Sequence, residues 1–118
     1  MHRLHLAGAA SIAALLALHA PACAQDVPTF RLTLKDHQFT PAELQVPAGV
    51  RFVLMVRNED STPAEFESNE LGAEKIISAG REATIRVGPL KVGRYLFADE
   101  FNSQATGALI AVQKSASE

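Results

Sequence analysis

Phe30-Arg31-Leu32-Thr33-Leu34-Lys35 sets an apolar side chain at every second position. In an extended chain successive side chains point to opposite faces, so this segment buries one face and wets the other. A helix would scatter the same residues around its circumference. The stretch is a half-buried strand. The chain beyond it repeats the theme. Leu44-Gln45-Val46 runs into Pro47-Ala48-Gly49, a sequence suited to a turn, and Val50 to Val56 is the most apolar segment, as a central strand would be. Ala83 to Val87 alternates again, with Thr84 and Arg86 outward and Ile85 and Val87 inward, and Gly88-Pro89 punctuates it. Tyr95-Leu96-Phe97 and Ala108 to Val112 supply the last strands, and Leu71-Gly72-Ala73-Glu74 reads as a short helical turn. Turn signals recur at a spacing of roughly 8–12 residues, and about six to eight short strands are expected. The predicted fold is all-β, an antiparallel sandwich.

Residues 1–24 read differently. Arg3 gives a positive start, Leu6 to Leu18 is apolar, and Ala22-Cys23-Ala24 offers small residues to a signal peptidase. That is the pattern of a secretory leader cleaved before Gln25. Residues 25–118 then form one domain, and the apolar run is too short to anchor it by spanning a bilayer. Lipidation at Cys23 is disfavoured, because Ala20 stands where such sites want leucine.

Losing the leader removes one of the 11 basic residues and none of the 13 acidic ones, so the mature chain is the more acidic. That balance argues against nucleic acid and against anionic membrane surfaces as partners. Cys23 is the only cysteine, so disulfides, thiolate metal sites and a cysteine nucleophile all leave with it. His37 is then the sole histidine and Met55 the sole methionine. The core must rest on packing, with Phe30, Phe39, Phe52, Phe66, Tyr95 and Phe97 as its large contributors.

Three stretches together resemble the cupredoxins. Phe39-Thr40-Pro41 leading to Leu44-Gln45-Val46-Pro47-Ala48-Gly49 is similar to their opening F-x-P-x-x-L-x-V-x-x-G. Val56-Arg57-Asn58-Glu59-Asp60 to Pro63-Ala64-Glu65-Phe66 is similar to the loop that carries the first copper histidine. Gly93-Arg94-Tyr95-Leu96-Phe97 through Gly107-Ala108-Leu109-Ile110-Ala111-Val112 is similar to the closing hairpin. The resemblance implies a Greek-key β-sandwich. It also implies where copper ligands would stand. The first histidine falls at Ala64, the cysteine at Asp99, the second histidine at Asn102 and the methionine at Ala105. Blue copper needs a thiolate and two imidazoles, so type 1 copper and its electron-carrier role are excluded. Glu65-Phe66-Glu67-Ser68, Glu74-Lys75-Ile76-Ile77 and Phe97-Ala98-Asp99-Glu100-Phe101 resemble the EfeO-type cupredoxin-like domains of periplasmic iron-uptake systems. Those accompany iron permeases, which implies a periplasmic location, iron as cofactor or cargo, and an inner-membrane iron permease or another periplasmic subunit as partner.

What chemistry remains is acidic. Glu59, Asp60, Glu65, Glu67, Glu70 and Glu74 follow one another with no basic residue between Arg57 and Lys75. Glu65 and Glu67 flank Phe66, so in a strand both carboxylates leave one face while the ring enters the core. In the implied fold Asp99, Glu100 and His37 approach the same end of the sandwich. Carboxylates with a single imidazole suit iron, manganese or calcium, and a cation would relieve their mutual repulsion. The candidate metal residues are therefore Glu65, Glu67, Asp99, Glu100 and His37. Each has a plainer reading. The glutamates could be a solvated face, Asp99 a buried anion paired with Lys75 or Arg81, and His37 a hydrogen-bonded turn residue.

Two functions stand at this point. One is an iron-binding or iron-delivering protein serving a permease, with ferrous oxidation only if a partner accepts the electron. The other is a metal-free module that docks to a transporter or oxidase. No hydrolase constellation and no glycine-rich phosphate loop is present.

Overall fold

A computed structural model describes residues 27–113, together with Arg3 and Gly8. The expected leader, residues 1–24, lies outside the described stretch. Nine strands follow in order: β1 (Thr29–Lys35), β2 (Gln38–Thr40), β3 (Glu43–Pro47), β4 (Phe52–Asn58), β5 (Ala64–Ser68), β6 (Ala73–Ile77), β7 (Glu82–Val87), β8 (Gly93–Asp99) and β9 (Asn102–Val112). They form a four-stranded sheet ordered β2-β1-β4-β7 and a five-stranded sheet ordered β3-β9-β8-β5-β6. Among the described residues no helix is long and apolar enough to cross a membrane.

The all-β sandwich expected from alternation is what forms, with its sheets mixed rather than wholly antiparallel. β1 pairs parallel with β4, and β3 pairs parallel with β9. The chain crosses from one sheet to the other between β2 and β3 and back again before β4, which brings each later strand alongside an earlier one in the same direction. The helical turn expected near Leu71 is a tight turn instead, closed by Gly72 at φ 64° and continued into edge strand β6.

The period-two pattern carries the packing. Leu32 and Leu34 of β1, Phe52, Leu54 and Val56 of β4, and Ala83, Ile85 and Val87 of β7 are all buried between the sheets. Phe39, Phe66 and Phe97 form an aromatic knot, with Phe39 edge-on to both partners at 6.2 and 5.0 Å between centroids. Phe30 and Phe52 meet edge-to-face at 5.6 Å nearer the other end. Gly107 is required beneath the knot, because a Cβ there would lie 2.5 Å from the Phe97 ring and 2.8 Å from the Ala42 carbonyl.

Asn58 closes the site end of β4. It is fully buried, donates from Nδ2 to the carbonyls of Thr62 and Ile77, and accepts the Asp60 amide on Oδ1. A buried amide so satisfied fixes where the β4–β5 loop leaves the sheet.

Candidate functional site

β5 is short and strictly alternating. Ala64, Phe66 and Ser68 face the core, which leaves Glu65 and Glu67 half-buried on the outer face of the five-stranded sheet. The β8–β9 hairpin delivers the third carboxylate. Its pairing slips at Ala98/Asp99, and such an irregularity re-aims side chains at a strand end. The Glu100 amide donates to the Glu65 carbonyl at 2.8 Å, holding Glu100 beside Glu65. One oxygen each from Glu65, Glu67 and Glu100 lies within 4.8 Å of the others. Oxygen ligands sit about 2.0–2.6 Å from a magnesium- or calcium-like ion, so ligands on opposite sides of one ion are roughly 4–5 Å apart. The three oxygens are within reach of a single cation.

Electrostatics agree with that geometry. The Glu65 carboxyl is pushed up to about 7, first by sharing a hydrogen bond with Glu100, then by partial desolvation, then by Glu74. Glu67 is raised too, chiefly by its hydrogen bond with Glu100, with desolvation next and the charges of Glu100 and Glu74 behind. Glu74 stands opposite Glu67 across the β5–β6 ladder. Like charges this close cannot all ionise freely. A proton on Glu65, or a cation among the three carboxylates, would relieve that repulsion.

Two of the expected ligands stand apart from it. Asp99 is 1 % exposed and faces inward, away from the glutamates. Its Oδ1 accepts the backbone amides of Glu65 at 2.9 Å and Phe101 at 3.0 Å, so it ties β5 to the hairpin. Oδ2 is buried with no hydrogen-bond partner, and among the described ion pairs Asp99 has none with Lys75 or Arg81. His37 occupies the β1–β2 turn, where Asp36 and His37 both take positive φ, 51° and 57°. The Asp60 carboxylate accepts both of their amides, at 2.6 and 3.0 Å, and the imidazole Nδ1 lies 3.5 Å from the same group. The plainer reading of His37, a turn residue held by hydrogen bonds, is the one the geometry matches. Asp60, counted in the sequence as one more surface acid, is the clamp of that turn. Glu74, counted in the sequence with the acidic run but not among the candidate ligands, is brought to Glu67 by strand register.

The positions matched to copper ligands offer no donor set for that metal. Ala64 and Ala105 are buried and inert, Asp99 is occupied by backbone amides, and no thiolate exists in residues 27–113. The structure and type 1 copper do not fit. The acidic cluster lies on the outer face of the sheet, not between the sheets.

Residues 8–111 match the model of the cupredoxin-like domain family. Uncharacterized protein RP394 of Rickettsia prowazekii (strain Madrid E) is 38 % identical over 81 residues, covering 68 % of this chain and 65 % of that protein. The match thus spans just under two thirds of the relative's length. Among solved structures, the metal-binding domain of the Cu(I)-exporting P-type ATPase of Streptococcus pneumoniae D39, determined with Cu(I), superposes with a TM-score of 0.62. It is 21 % identical, over 72 % of this chain and 85 % of that one. A purple cupredoxin from Nitrosopumilus maritimus gives 0.55 at 15 % identity, over 74 % and 100 % of the two chains. Likeness at this level of identity speaks for the fold alone.

Proposed function

The chain belongs to the cupredoxin-like domain family, and on that premise we propose that it binds iron on Glu65, Glu67 and Glu100 in the periplasm and passes it to an inner-membrane iron permease. The observation that carries this reading is the three-carboxylate cluster itself, with its oxygens within 4.8 Å. All-oxygen ligation suits a hard or borderline ion and favours ferric over ferrous iron. The resemblance of residues 65–68, 74–77 and 97–101 to the EfeO-type domains supports iron over calcium or manganese, and the leader-like residues 1–24 support export. The proposed role is carriage, with ferrous oxidation only where a partner accepts the electron. Oxidising Fe²⁺ releases one electron, and among the described residues no redox centre receives it, so any ferroxidase step belongs with a partner that supplies the acceptor.

A second reading, a metal-free docking module, rests on one observation. Ile76, Leu96 and Phe101 are large apolar residues more than half exposed on or beside this face. Elemental analysis separates the two. Untagged protein incubated with Fe²⁺, Mn²⁺ or Cu²⁺ and then dialysed should retain iron, and with Cu²⁺ it should show no intense visible band, there being no thiolate for charge transfer. Protein that retains none of the three metals would leave the docking module.

A further inference from the structure

On the outer face of the five-stranded sheet the chain leaves a groove of about 630 Å³. It opens where β5 stops at Ser68 and the turn that follows swings away, so that the edge of β8 facing β5 has no strand partner before Ala98, while its other edge stays paired with β9. The backbone of Leu96, which a longer β5 would have paired, is satisfied by side chains. Glu70 Oε2 accepts its amide at 2.9 Å and the Ser68 hydroxyl donates to its carbonyl at 2.6 Å. The Leu96 side chain itself is left 54 % exposed in the lining. Ala98 extends the apolar surface on one side of it. Glu67, Glu70 and Glu43 edge the groove, and the single cation in the lining, Arg94, is already held by Glu43 at 2.7 Å. The groove therefore joins an apolar floor to a net-negative rim with no basic group to spare.

We propose that this groove docks a short extended segment of a partner protein, with one apolar residue seated on Leu96 and flanking lysines or arginines reaching Glu67 and Glu70. An extended backbone sets alternate side chains on opposite faces. Its apolar residue would cover Leu96, and long basic side chains would lay their stems along the floor with the charged ends at the rim. Charge complementarity decides the occupant. An acidic or purely apolar segment would leave the rim carboxylates repelled or desolvated without a partner, which is costly. The groove shares Glu67 with the carboxylate cluster, while Glu70 and Leu96 lie outside it, so variants at those two positions test docking apart from metal binding.

Fluorescence anisotropy at low ionic strength tests it with a labelled peptide of alternating lysine and valine and its glutamate–valine counterpart. The lysine peptide should bind and the glutamate peptide should not. Glu70→Gln keeps an acceptor for the Leu96 amide and removes the charge, so binding should weaken about two- to fivefold. Leu96→Ala should weaken it by about tenfold. Arg94→Gln frees Glu43 and should tighten it by about two- to fivefold. Ferrous-ion titration of Glu70→Gln and Leu96→Ala should match the wild type, which keeps this test distinct from that of the metal site. Equal binding of the two peptides, no binding at millimolar concentration, or indifference to all three substitutions would overturn the assignment. So would spermidine competing as well as the peptide, which would mark a site for small polycations.

Discussion

A glutamate pushed up to about 7 ties the stability of the fold to pH. Unfolded, Glu65 would titrate near the ordinary value of 4.5, so between that value and about 7 the folded protein holds a proton that the unfolded chain has released. The stabilisation is full below the unfolded value and is lost as pH rises through the folded one. Glu65→Gln should thus melt higher than wild type near pH 8, with the gap closing towards pH 5. A cation bound to the cluster should close the same gap at the upper end, and a difference that ignores pH would contradict the coupling to Glu100. Asp99 acts through the amides it holds. Asp99→Ala strands the amides of Glu65 and Phe101 and should cost about 2–6 kcal/mol in urea denaturation, at roughly 1–3 kcal/mol for each buried unsatisfied group. Asp99→Asn keeps an accepting oxygen and should cost clearly less. Equal losses in the two variants would mean that the charge, not the acceptor, is what the fold uses.

At the scale of elements, alternation made β1, β4 and β7 legible, because burial of one face imposes a period that no helix shares. Direction was not legible. An alternating strand reads alike whichever way its neighbour runs, and the parallel β1–β4 and β3–β9 pairs follow from crossovers between the sheets. β6 was missed because Ala73-Glu74-Lys75-Ile76-Ile77 is an edge strand that buries only Ile77, leaving almost no pattern to detect. The pair Glu65 and Glu67 could be read from spacing, and Glu100 from the family resemblance of the hairpin. The parts played by Asp99, Asp60 and His37 are bonds to backbone amides, which no residue pattern displays. The β8–β9 hairpin also depends on Gly107. Gly107→Ala should cost about 1–3 kcal/mol by overpacking against the Phe97 ring. Adding Phe97→Leu should lower that penalty in a double-mutant cycle, though not abolish it, since the Ala42 carbonyl is also in the way. Additive costs would show that the ring is not the obstacle.

Among the described residues the two outer faces differ in charge. That of the four-stranded sheet presents Arg31, Arg57 and Arg86 against Glu82, while that of the five-stranded sheet presents Glu43, Glu65, Glu67 and Glu74, with Glu100 beside them, against Arg94. Such a field draws cations to one side and weakens with salt. Ferrous-ion association should accordingly slow as ionic strength rises, and Glu74→Gln should blunt that dependence while leaving the three ligand carboxylates in place. An association rate indifferent to salt would count against steering. The cupredoxin-like sandwich carries no thiolate in residues 27–113, and the metal site proposed for it is the carboxylate cluster on the outer face of one sheet. Anaerobic titration calorimetry of Fe²⁺ into the wild type and into the triple variant Glu65→Gln, Glu67→Gln, Glu100→Gln, with the folded state of both checked by circular dichroism, tests that claim most directly. One ion should bind per wild-type chain and none to the folded triple variant. Undiminished binding by the triple variant, or no binding by the wild type at millimolar Fe²⁺, would contradict it.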